Sequence, residues 1–147
     1  MNIVQVTTKD LEKCAELFTY VFTQPPWNET WIIAQAIERL SFFLKTPNFF
    51  GLAAYSNEEI VGFIYGNYEP FQDKRVYLLK EVAVHPHLQG KGVGSELIQK
   101  LHAELRKKNI SAIDLITAIG GKAANFYIKN GYSKSTEIGL YVSNIST

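Results

Sequence analysis

The stretch Val82 to Leu101, VAVHPHLQGKGVGSELIQKL, constrains this chain more than any other. An apolar β-rich run, RVYLLKEVAV, ends at Pro86. Glycines 90, 92 and 94 then alternate with other residues, and a helical pattern follows with Val93, Leu97, Ile98, Leu101 and Leu105 on one face. The next apolar run, AIDLIT, reads as a buried strand. A strand, helix and strand so close together over 75–117 predict a right-handed parallel crossover.

The flanking segments add antiparallel neighbours. Residues 2–6 alternate as a first strand, and Thr8 stands before a helix with Leu11, Cys14, Ala15, Phe18, Val21 and Phe22 inward. After Pro25 and Pro26, Asn28 is placed to cap a second helix carrying Ile33, Ala36, Ile37, Leu40 and Leu44, which Pro47 closes. FFGLAAY and EIVGFIYG, joined by SNEE, predict a hairpin, NYEPFQDK a loop, GKAANFYIKN a short helix and YSKSTEIGLYVSNI a closing strand pair. The expected order is β-α-α-β-β-β-α-β-α-β-β. That is an α+β fold with a mixed, mostly antiparallel sheet of about seven strands and helices on both faces, in one domain over 1–147.

A glycine-rich turn that feeds a helix aims the helix's first N–H groups at one point, and the dipole makes that point positive. The absence of Cβ atoms lets a bulky anion approach the backbone. Neither the dinucleotide fingerprint G-x-G-x-x-G nor the nucleotide P-loop fits Gly90-x-Gly92-x-Gly94. A formal charge of +1 gives no general attraction for nucleic acid or an anionic membrane, so anion binding here has to be local.

The residues around the glycines sharpen this. Gln89-Gly90-Lys91-Gly92-Val93-Gly94 after a hydrophobic strand and a proline resembles the signature of the GNAT superfamily of N-acetyltransferases. AANFYIKNGY resembles that superfamily's second motif, Ala-x-x-Phe-Tyr-x-x-x-Gly-Phe/Tyr, and the element order agrees over nearly the whole chain. The resemblance implies that acetyl-CoA is the co-substrate, its pyrophosphate held by backbone amides of Gln89, Gly90, Lys91, Gly92, Val93, Gly94 and Ser95. It implies that the main chain of Val82, Ala83 and Val84 pairs with the pantetheine arm, in a V-shaped cleft where the fourth strand splays from the fifth. Lys91 offers a further phosphate contact, although an exposed lysine at this place reads first as a solvated one.

Acetyl transfer to an amine needs a group that takes the amine's proton and another that stabilises the departing thiolate. Glu81 lies in an apolar strand with Lys80 before it on the opposite face. Two charges there require an opening or partners; a structural ion pair is the plain reading, and the resemblance points to a general base. Tyr127 matches the superfamily's tyrosine near the cofactor sulfur, against the plain reading of a packing side chain. The superfamily often has Asn three residues before the motif's alanine; here that position is Gly120, and Asn125 is out of register for it.

QPPWNETW offers Trp27, Glu29 and Trp31 for a cationic acceptor, or a staple fixing the second helix to the core. Tyr68, Glu69, Phe71 and Asp73 are further acceptor candidates. His85, His87 and His102 form no metal set, and with one cysteine, Cys14, read as core, no metal is expected. One cysteine, no signal-peptide pattern and no apolar run of membrane length lead to the expectation of a cytoplasmic protein. The functional expectation is direct transfer of acetyl from acetyl-CoA to a primary amine, with a small-molecule acceptor and no nucleic-acid or membrane partner. A protein or peptide acceptor, or a non-catalytic acyl-CoA-binding module, is the alternative. Superfamily members often dimerise, which raises a homodimer as a further partner.

Overall fold

A computed structural model describes residues 1–146. Two compact units divide the chain after Leu115. The first contains β1 (Asn2–Gln5), α1 (Leu11–Phe22), α2 (Ile33–Leu44), β2 (Phe49–Ser56), β3 (Glu59–Phe71), β4 (Lys74–Val84), α3 (Val93–Lys107) and β5 (Ala112–Leu115), with 3-10 turns at Thr8–Asp10 and Pro86–Leu88. The strands form one sheet in the order β1-β2-β3-β4-β5. The first four pair antiparallel and β4 pairs β5 in parallel, so the crossover expected over 75–117 is present.

Sequence periodicity explains which face each helix covers. Cys14, Ala15, Phe18 and Val21 of α1 and Ala36, Leu40 and Phe43 of α2 form one core with Ala53, Phe63, Tyr65 and Ala83 of the sheet. On the opposite face, a Cβ on Gly62 would lie 3.0 Å from Leu97 and 3.2 Å from Val93, so α3 packs there. Cys14 is fully buried, and burial pushes its thiol pKa up to about 12. It is a core residue, as its helical position predicts.

Five strands, not seven, make up the sheet. Residues 133–146 form no helix or strand, and Ile138, Leu140, Tyr141, Val142 and Ile145 are exposed. Alternation marks a segment able to form a strand, but a strand exists only where another pairs with it. Near the start of the segment, the N–H groups of Glu137 and Ile138 donate instead to the Ser135 hydroxyl. AIDLIT also differs from expectation: β5 stops at Leu115, and its residues are half-buried or exposed.

NYEPFQDK is not a loop. β3 continues to Phe71, and the chain turns at Gln72 and Asp73, with Gln72 at φ 55°. The SNEE hairpin holds, turning through Asn57 and Glu58 at φ 50° and 67°. Asn28 does not cap α2. It sits in a left-handed turn at φ 49°, and the helix starts at Ile33, where the Gln35 side chain accepts the Ile32 N–H at 3.1 Å.

The second unit, from Ile116 onward, contains α4 (Lys122–Lys129). Its end explains the spacing of FYIKNGY. Gly131 at φ 94° donates to the Ile128 carbonyl at 3.1 Å, and the Tyr132 N–H donates to the Tyr127 carbonyl at 3.0 Å. This is a Schellman cap, in which only glycine takes the left-handed position without strain.

Candidate active site

The position of Glu81 depends on one extra residue. In the β3–β4 ladder Tyr65 pairs with Glu81 but Gly66 pairs with Leu79, so Lys80 is bulged. Tyr77 and Leu79 therefore share a face with Gly66, on the α3 side, whereas Glu81 and Ala83 share a face with Tyr65 and Phe63, on the α1/α2 side. Strict alternation would put all four residues on one face. The bulge turns Glu81 toward the two N-terminal helices and leaves Lys80 exposed.

There Glu81 meets Arg39 of α2. The Arg39 Nε donates to Glu81 Oε1 at 2.5 Å, with the guanidinium also over the Phe43 ring at 5.0 Å. The Glu81 side chain is 10% exposed and that of Arg39 44%. Burial raises the Glu81 pKa above the ordinary carboxylate value; Arg39 opposes this and the nearby Glu29 carboxylate adds to it. The ion pair considered from sequence thus exists, and its carboxyl remains harder to ionise than a solvated one. Arg39 was missed because nothing local marks it. The signal was indirect: a charge in an apolar strand demands a partner.

Arg39 sits one turn after Gln35 and one before Phe43. Together with Trp31, Glu38 and Phe42 these residues line an open cleft of about 560 Å³. Trp31 reaches the cleft from the irregular connection before α2. Its ring packs edge-on against Phe18 at 4.7 Å between centroids, and its Nε1 donates to Glu29 at 2.8 Å. Trp31 thus packs on the core, as the staple reading has it, and also lines this cleft. The Trp27 ring packs against Phe22 at 5.5 Å between centroids, tilted by 55°, and does not line this cleft. Tyr68 and Asp73 line a separate hollow of about 450 Å³ near the tip of the β3–β4 hairpin.

β4 pairs with β5 only from Val76 to Leu79. Beyond the bulge, its second edge has no strand partner within this unit. The His85 N–H donates to the Val61 carbonyl at 2.8 Å, which makes Val84–Gly62 a non-hydrogen-bonded pair. The main-chain groups of Val82 and Val84 consequently face the open edge, while those of Ala83 face β3. The Val84 carbonyl accepts the Gln89 side-chain amide at 3.0 Å, which ties the loop to the strand end.

In the loop, Gly90 and Gly92 have φ of 79° and 92°, and a Cβ at either would have nothing within 4 Å. The surface is open on that side. The first bond of α3 runs from Glu96 N–H to the Gly92 carbonyl at 2.9 Å, so the N–H groups of Gly92, Val93 and Gly94 lie ahead of it. No side chain caps this end. An exposed, uncapped helix start beside an open strand edge fits a ligand carrying a phosphate group and an extended amide chain.

The family model described as the acetyltransferase (GNAT) family matches residues 13–132. The chain belongs to this family. It is an acetyl-CoA-dependent N-acetyltransferase of the GNAT kind. It is 28% identical over 152 residues to the uncharacterized N-acetyltransferase YhfO of Bacillus subtilis (strain 168), covering 99% of this chain and 98% of that one. In fold it is similar to the crystal structure of a probable acetyltransferase, with a TM-score of 0.82 at 22% identity over 100% of this chain and 99% of the other. It is also similar to the aminoglycoside acetyltransferase meta-AAC0020 from an uncultured soil metagenomic sample, solved with sisomicin. That TM-score is 0.76 at 18% identity, covering 99% and 96% of the two chains.

Tyr127 lies in the second unit, where its ring meets Phe126 at 5.2 Å and Tyr132 at 5.5 Å between centroids. The Schellman cap brings Tyr132 back over Tyr127 and fixes its aromatic neighbour. Gly120 and Gly121, both at positive φ, precede α4, and Gly120 stands where the GNAT pattern often has Asn. Among the described residues, no group of three or more His, Cys, Asp or Glu could hold a metal ion, and no helix is long and apolar enough to cross a membrane.

Proposed function

We propose that this GNAT enzyme acetylates a primary amine on a small molecule, the amine attacking the acetyl thioester directly while Glu81 takes its proton. The observation that carries this reading is Glu81 itself, a nearly buried carboxyl with a raised pKa, turned by the bulge to the face that meets α2. Freeing a lysine-like ammonium of its proton at neutral pH costs about 4–5 kcal/mol, and a positioned base with a raised pKa lowers that barrier.

Acetyl-CoA supplies the thioester carbonyl. The N–C bond forms as the C–S bond breaks, the nitrogen's surplus proton passes to Glu81 directly or through water, and the sulfur leaves as thiolate. The Tyr127 hydroxyl donates a hydrogen bond to that developing charge, which is easier than full proton transfer from a group of pKa ~10 to a thiolate of pKa ~8.5. One proton is released overall, with amide and free thiol as products.

On the donor side, the amides of Gly92, Val93 and Gly94 at the start of α3 hold the pyrophosphate. The Gln89 and Lys91 N–H groups donate instead to the Pro86 and Leu88 carbonyls at 3.4 and 3.2 Å, and the Lys91 side chain stands exposed beside them. Val82 and Val84 pair with the pantetheine arm, and Ala83 supports them through β3. On the acceptor side, Trp31 and Glu29 wall the amine's approach, with Trp27 at the outer end of the same connection. Calorimetry with coenzyme A tests the donor half: wild type should bind, and Gly92→Ala, which strains a residue at φ 92°, should raise Kd about tenfold. No binding by the wild type at millimolar coenzyme A would refute the reading.

A further inference from the structure

We infer that the acceptor carries a carboxylate beside its amine, as an amino acid does, and that Arg39 selects it by binding that carboxylate. The inference rests on the proposed small-amine acetylation and narrows its substrate class. An arginine presents five N–H donors in a rigid planar fork. Here Nε is committed to Glu81 Oε1 and the fork lies over Phe43, so two sides are fixed. Its terminal nitrogens make no hydrogen bond among the described residues, and the side chain opens into the cleft beside Trp31, Gln35 and Phe42. A half-exposed guanidinium held in one orientation, with its paired donors unused, is preorganised for a bidentate carboxylate.

The charges in the cleft favour an amino acid over a bare amine. An ammonium approaching Glu81 alone meets a guanidinium already paired there, and the like charges repel. An acceptor with both groups avoids this. Its carboxylate neutralises the free side of Arg39, and its ammonium passes its proton to Glu81 through water, since Glu81 is not part of the cleft wall while its Oε2 makes no hydrogen bond among the described residues. Glu38 on the same wall disfavours an acceptor carrying only negative charge. One cation held between a buried carboxylate and an open cleft is thus complementary to a molecule bearing one charge of each sign.

The test measures thiol release from acetyl-CoA with amines paired to differ only in the carboxylate: lysine with cadaverine, ornithine with putrescine, phenylalanine with phenethylamine. The aminophosphonate analogue of alanine, run beside alanine, separates a carboxylate site from a general anion site. Each amino acid should exceed its decarboxylated partner in kcat/KM by about 10- to 100-fold, the range of one charge-assisted contact, mainly through KM. Arg39→Gln should bring that ratio near one, and Arg39→Lys, which keeps a cation against Glu81 but loses the fork, should retain part of it. The lysine variant also serves if the glutamine variant does not fold, as judged by circular dichroism. Equal or reversed preference within pairs, an unchanged ratio in Arg39→Gln, or the phosphonate outrunning alanine would each overturn the inference. Turnover of bare amines as fast as amino acids would leave the proposed function standing and remove only the carboxylate. No turnover of any amine, with coenzyme A still bound, would remove both.

Discussion

Replacing Glu81 with Gln separates a catalytic carboxyl from a structural one, because the two roles give effects of very different size. Consider stability first. Burial raises the carboxyl's pKa in the folded protein, so the fold binds that proton more tightly than the unfolded chain does. The stability of the wild type therefore falls as pH rises from the ordinary carboxylate value of ~4.3 to the raised folded value, and the penalty stays constant above it. Gln escapes the penalty but gives Arg39 a neutral partner. With the guanidinium side chain 44% exposed, water replaces much of what is lost, and the pair contributes no more than about 1 kcal/mol. The two effects oppose each other, so Glu81→Gln should lie within about 1 kcal/mol of wild type at pH 7.5. Its relative stability should improve between pH 4 and pH 7. Activity should respond on another scale: a general base contributes roughly 10²–10⁴-fold, or about 3–5 kcal/mol. The assay is thiol release followed as kcat/KM from pH 5 to 9, with urea denaturation at each pH. Wild type should show an acid limb above the ordinary carboxylate range, and the variant should lose that limb with at least 100-fold of its rate. An identical acid limb in both proteins would refute the reasoning and leave Glu81 as the buried half of an ion pair.

Tyr127→Phe should lower kcat by up to about 10²-fold with coenzyme A affinity nearly unchanged, measured by steady-state kinetics and calorimetry; loss of affinity alone would make the tyrosine a packing residue. Gly131→Ala forces a side chain onto a residue at φ 94° where a Cβ would meet nothing within 4 Å, so its cost is backbone strain of about 1 kcal/mol, read by urea denaturation. A neutral result there would contradict the left-handed cap on α4.

What the sequence disclosed was what neighbouring residues decide. The glycine loop, the start of α3 and the Gly131 cap are local geometry, legible because only particular residues adopt those backbone angles. The inward faces of α1 and α2 were legible from period. Register was not: the bulge at Lys80 arises from how β3 and β4 pair, and no composition marks it, so the face that Glu81 takes could not be read from alternation. Arg39 stayed hidden for the same reason, 42 residues from the carboxylate it meets. Asn28 was read as a cap because its residue type suits one, yet the same type also suits the left-handed turn it occupies. For residues 133–146, alternation announced a capacity for strand and could not supply the partner.

The bulge has a consequence for how this strand can vary. From Tyr77 to Ala83 the chain behaves like a reading frame with one inserted letter. Substitutions change single positions and leave the rest in phase. Deleting Lys80 would remove the inserted letter itself: Leu79 and Glu81 would follow one another as Gly66 and Tyr65 do opposite them, so the carboxylate would keep its face toward Arg39 and Val82 and Val84 would keep the open edge. A residue lost on either side of the bulge would instead exchange the faces, so length is held more tightly there than at Lys80.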